Sequence, residues 1–148
     1  PLLRSPELMD HTQRLGEYLR YRSAIGIRLT ELAILVTARQ WTQQVEWAIH
    51  APIALREGVQ QTTVDAIAAG KRPAHMPEDE AAVHDFCLEL HRQRQVSDDT
   101  WARAQALFGD KGVMDLIGIN GYYSLLSMVM NAARTTVPAS TSAPLPVL

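Results

Sequence analysis

A single cysteine, Cys87, is present in 148 residues, so no disulfide can form within the chain and a reducing cytoplasm is the expected compartment. Excess charge of either sign is missing as well. Fourteen Lys and Arg stand against sixteen Asp and Glu, interspersed, for a net charge of −2. Without a basic stripe to neutralise phosphates, nucleic acid is excluded as the main partner. No uninterrupted apolar run approaches the roughly 20 residues that cross a bilayer, so no membrane partner is expected. Arg4, Glu7 and Asp10 break up the start, which therefore does not read as a signal peptide. Pro1 is an unusual first residue and leaves room for a preceding segment. Alternating strand patterns and internal repeats are also scarce.

What is present is helical punctuation around a large apolar fraction, 47% of residues. A chain of this length can bury roughly 70% of its extended surface, enough for one domain without metal or disulfide support. Ser5-Pro6-Glu7 opens a helix reaching about Tyr21, with Leu8, Leu15, Tyr18 and Leu19 as its apolar stripe. Thr30 to Gln40 is apolar on all sides through Leu32–Val36, which places it at the centre. A third helix spans Thr42 to before Gly58, buries Val45, Ile49, Ile53 and Ala54, and bends at Pro52. Short Thr63–Ala69, then Glu78–Arg94, then a helix capped by Ser97-Asp98-Asp99 and stopped at Gly109 follow. The last helix runs from about Gly112 to Arg134. Residues 135–148, rich in Pro, Ser, Ala and Thr, form a tail that does not fold alone and is free to drape over a neighbour. The expectation is an all-α domain over residues 1–134 with six or seven helices.

Glu31-Leu32-Ala33-Ile34-Leu35, then Glu46-Trp47-Ala48-Ile49-His50 with Ala54 and Gly58, and later Phe108-Gly109, Tyr122-Tyr123 and Asn131, carry a resemblance. In order and spacing, over about Pro6 to Arg134, the chain resembles the carboxymuconolactone decarboxylase family, whose fold is that of alkylhydroperoxidase D. In the peroxidase branch a Cys-x-x-Cys pair precedes the histidine by four residues, and a glutamate lies twelve positions before the first cysteine. The matching positions here are Gln43, Glu46, His50 and Glu31. Neither Gln43 nor Glu46 can attack a peroxide or resolve a sulfenic acid, so thiol peroxidase activity is not expected.

The resemblance therefore implies the decarboxylase branch: cofactor-free loss of carbon dioxide from a small cyclic lactone acid. It assigns proton transfer to His50, with Glu46 as its orienter and Glu31 as a second proton source or relay. The alternatives are another activity on the same frame, an isomerase or hydrolase of a cyclic acid, or a non-catalytic oligomeric binding protein. Taken by spacing alone, Glu46 and His50 are an ordinary i, i+4 pair, and Glu31 is an acid favouring a helix start. Arg39 is the candidate for holding an acidic substrate's carboxylate, while Trp47 and Tyr122 are candidates for the pocket wall, with Trp41 and Tyr123 as further possible walls. His84, Cys87 and His91 share a helix face and invite a zinc reading, but no fourth ligand has convincing spacing, so no metal is expected. The apolar surplus of the last helix, together with the resemblance, implies a homotrimer or homohexamer.

Overall fold

The computed structural model describes residues 1–137 and 145–146. A 3-10 turn, Leu2–Arg4, leads into six helices: α1 Pro6–Tyr21, α2 Ile27–Gln40, α3 Gln44–Arg56, α4 Gln61–Ala68, α5 Glu78–Gln93 and α6 Asp98–Ala132. No strand occurs among the described residues. The all-α expectation is met. Its six-or-seven count turns on Gly109, whose φ of 66° and ψ of 176° kink α6 into two helical rods. That conformation is open to glycine and hardly to any other residue.

α2 is the central element. Every residue from Leu29 to Arg39 is buried, and the helix packs against α3, α5 and α6. It begins three residues earlier than the sequence reading placed it, so Glu31 lies in the second turn, inside the core, and not at the helix start. The reading of Glu31 as helix-start electrostatics is thereby displaced.

Two helix faces differ from those expected. On α1, Leu8 and Leu15 are exposed, and the inner face is Thr12, Gly16 and Leu19. Close packing explains the change: a Cβ on Gly16 would fall 2.1 Å from the Tyr122 hydroxyl, so only glycine lets α1 approach α6 there. On α3, Ile49 is exposed and the buried set is Glu46, Trp47, His50 and Ala54. The helix turns its polar side chains inward because His50 finds Glu31 on α2 and Glu46 finds His50, which offsets their desolvation.

α6 corrects the search for uninterrupted apolar runs. By length and composition it could cross a bilayer, since Gly, Asn and Ser rather than charges break up its apolar residues. Its buried stripe, Val113, Leu116, Asn120, Tyr123 and Ser127, is spent on the domain core. Of the tail, Leu145 and Pro146 lie on the chain's own domain, against Gln44 and Arg39, and Leu145 is buried. The rest of the tail, 138–144 and 147–148, lies outside the described residues.

Candidate active site

α3 starts where Gln43 caps it. Its Oε1 accepts from the backbone N–H of Val45 at 2.6 Å and of Glu46 at 3.2 Å, and its Nε2 donates to Asn131 Oδ1 at 2.9 Å. Gln43, which the resemblance sets at the position of a first cysteine, thus serves as a helix cap tied to the end of α6. The cap fixes the register of Glu46 and His50, one turn apart on the inner face.

His50 lies between two carboxylates. Its Nδ1–H donates to Glu31 Oε2 at 2.6 Å, and Glu46 Oε2 lies 3.2 Å from Nε2. The three residues are 1%, 5% and 3% exposed for Glu31, Glu46 and His50, so the group is almost dry. Burial alone pulls the His50 pKa down; Glu31, then Glu46, pull it up by more, and it ends above 6.5. A protonated ring donates from both nitrogens, which suits an acceptor on each side. A proton can enter at one ring nitrogen and leave from the other, making the imidazole a relay between the two acids.

Tyr123 closes the group. Its ring lies edge-on to His50, with centroids 5.2 Å apart and planes at 88°, and it meets Tyr122 edge-on at 5.0 Å. Burial holds the Tyr123 hydroxyl protonated well above its ordinary range. For Tyr122 burial, then the charge of Glu46, acts in the same direction. The sequence reading gave the substrate wall to Tyr122, which is half-buried against Gly16; Tyr123 is the ring that touches His50. Helical spacing carried that signal, because Tyr123 falls seven residues after Leu116 on the buried stripe and Tyr122 does not.

Arg39 and Trp47 do not join this cluster. Arg39 is buried and donates to the carbonyls of Ala68 at 3.3 Å and Pro146 at 2.6 Å and to the Thr42 hydroxyl at 3.0 Å. Trp47 lines a separate cleft beside α4, together with Leu145. A second arginine, on α1, is a further candidate. Arg20 lies one turn beyond Gly16 on α1, its charge reaches both tyrosines, and its buried Nε has no partner among the described residues. Sequence spacing from Gly16 would have found it only once Gly16 was known to face Tyr122.

The zinc reading dissolves into separate contacts. His84 pairs with Asp85 at 3.0 Å, His91 meets the Thr37 hydroxyl at 3.1 Å, and Cys87 accepts from Asn120 Nδ2 at 3.1 Å. No group of three His, Cys, Asp or Glu among the described residues is arranged to hold an ion. For Glu31, His50 and Glu46 the reason is geometric, since the carboxylates occupy opposite edges of the ring. Cys87 is fully buried, and burial pushes its thiol up to about 12.

Neither a sequence-family model nor any curated protein matches the chain. Among solved structures, a protein of unknown function from Agrobacterium tumefaciens, with the working description antioxidant-defence protein AhpD, superposes with a TM-score of 0.81 at 15% identity. The match covers 94% of this chain and 96% of that one. The fold is AhpD-like.

Proposed function

We propose that this chain is an acid–base enzyme acting on a small cyclic carboxylic acid, with cofactor-free decarboxylation of a lactone acid as its reaction. The observation that carries the reading is His50 held between Glu31 and Glu46 beside the ring of Tyr123, with all of them almost withdrawn from solvent. In such a reaction the bond to the carboxyl carbon breaks, carbon dioxide leaves, and the electron pair passes into the conjugated lactone. His50 then delivers its proton to carbon and is reloaded through a glutamate. The low-polarity walls strengthen each of these charge interactions. Arg20, one turn beyond Gly16 with its guanidinium over the Tyr21 ring, is the cation proposed to orient the substrate in place of Arg39. Entry is from the Tyr122 side, where the ring is only half-buried, and requires that side chain to move.

The antioxidant description of the Agrobacterium protein does not transfer readily. Thiol peroxidation needs an accessible thiolate and a resolving thiol. The one thiol here is enclosed and poorly acidic. A single thiol suits the cytoplasm as location.

A second reading draws on the closure of the site: three mutually paired and buried side chains also suit a binding protein that kept the fold without catalysis. A screen of carboxylated lactones and cyclic acids for thermal stabilisation, followed by carbon dioxide release from the binders, separates the two. Ligands that bind only the native state raise its apparent stability. Stabilisation with release supports the enzyme; no stabilising acid and no release supports the binding protein.

A further inference from the structure

Arg39 is 2% exposed, yet no carboxylate pairs with it among the described residues. Its partners are two backbone carbonyls and one hydroxyl, and its buried Nε has no partner among the described residues. A guanidinium withdrawn from water without a counter-charge is costly, and the ordinary remedy is an anion. One of the two carbonyls belongs to Pro146, at 2.6 Å from Nη1.

The same segment is read at a second point. Gln44 Nε2 donates to the Leu145 carbonyl at 2.8 Å, and Gln44 Oε1 accepts the Leu145 N–H at 2.7 Å. A side-chain amide that engages both polar groups of one residue recognises an extended peptide unit, as a neighbouring strand would. The Leu145 side chain is 3% exposed, in a cleft walled by Trp47, Ala51, Leu55, Val64 and Ala68. About 390 Å³ of that cleft remains open beside it, within the range of small-molecule sites. Three features therefore meet the Leu145–Pro146 segment: an apolar socket, an amide reader and a buried cation.

We propose that the cleft between α3 and α4, with Gln44 and Arg39 at its edge, is a binding site for a short peptide-like acid, an amide-linked branched apolar residue followed by one residue that ends in a carboxylate. Leu145–Pro146 is its internal stand-in. The ligand's apolar side chain takes the Leu145 socket, its amide meets Gln44, and its carboxylate replaces the Pro146 carbonyl on Arg39. A charged acceptor there forms a bond roughly twice as strong as a peptide carbonyl does. This site is distinct from the His50 cluster, and its existence does not depend on the decarboxylase reading.

The test uses the full chain carrying Leu145→Lys, which ejects the segment by placing a cation in an apolar socket beside Arg39. N-acetyl-Leu-Pro as the free acid and as its C-terminal amide are titrated calorimetrically into this variant and into the parent. The acid is expected to bind the variant roughly tenfold or more tighter than the amide does, and the parent weaker by a similar factor, because its own segment competes. Gln44→Ala in the same background lowers the affinity again. Equal binding of acid and amide, or of parent and variant, overturns the proposal, as does a folded variant that binds neither compound. Should Leu145→Lys fail to fold, the parent decides the matter. The acid at concentrations on the order of 10 mM must then shift the side-chain amide resonances of Gln44, which the amide at equal concentration shifts less. Absence of that shift overturns it.

Discussion

Glu31 and His50, nineteen residues apart and on different helices, share a 2.6 Å hydrogen bond in the core. Glu46 reaches the other side of the ring from the same helix as His50, at 3.2 Å and i, i+4. One carboxylate is therefore placed by the packing of α2 on α3, the other by helix geometry alone. The two should respond differently to neutralisation.

Glu31→Gln is expected to lower stability by about 1–3 kcal/mol, because the amide loses a short charge-assisted bond and must find a donor partner inside the core. Glu46→Gln should cost less than about 1 kcal/mol, since its amide oxygen still accepts from Nε2–H across the longer 3.2 Å contact. Urea midpoints for the two variants and the parent provide the comparison. A larger loss for Glu46→Gln would mean that the i, i+4 contact, and not the inter-helix bond, holds the ring.

The pH dependence follows from opposed histidines. His50 has its folded pKa raised above 6.5, so its contribution is complete below that value and lost as pH climbs through the folded pKa. His84 and His91 have theirs lowered, chiefly by burial, so their contribution is present above 6.5 and lost as pH falls toward their folded values. Stability is thus expected to peak near pH 6.5 and fall on both sides, as read from urea midpoints between about pH 5 and 9. Substituting His84 and His91 by Gln should flatten the acid side only. An imidazole resonance of His50 titrating below 6.5 would contradict the basic-side assignment.

Cys87 should be silent chemically. A thiol held up to about 12 and enclosed by α5 and α6 is expected to resist a disulfide reagent at pH 8 in the native chain and react once the chain is unfolded in urea. Cys87→Ala should cost about 1 kcal/mol for the lost sulfur and leave turnover unchanged. Rapid labelling of the folded protein, or loss of turnover in the variant, would reopen a thiol mechanism.

Leu8 and Leu15 on α1, Ile49 on α3, and Met114 and Met128 on α6 are all more than two-fifths exposed in the single chain. We infer that self-association into a trimer or hexamer covers part of this surface. Sedimentation at micromolar concentration should give a multiple of 16.5 kDa; a monomer would exclude the assembly.

Much of this architecture is legible in the chain because helix ends are written locally. Ser97 before two aspartates, Pro6 after Ser5 and the glycines at 70 and 109 mark boundaries found within a few residues in the structure. The faces are less legible. Apolar periodicity pointed α3 toward Ile49, whereas the helix buries Glu46 and His50, since a polar side chain with a waiting partner can outcompete an apolar one for the interior. Glu31, Glu46 and His50 were grouped through a family resemblance and do meet. Arg39 was assigned to them by charge alone, but it lies two turns further along α2 and serves a different groove. Arg20 could not be found without knowing that Gly16 admits Tyr122, a long-range contact with no local signature.

The central claim is that His50 transfers a proton to substrate, and the turnover of His50→Gln tests it most directly. Carbon dioxide release is measured for the parent and the variant with the same carboxylated lactone, after circular dichroism has shown that the variant is folded. That check matters because the substitution leaves two buried carboxylates facing each other, at a cost of about 3–5 kcal/mol unless one takes up a proton. Turnover is expected to fall roughly 10²–10⁴-fold with the helical signal retained. A folded His50→Gln chain that releases carbon dioxide at the parent rate would contradict it.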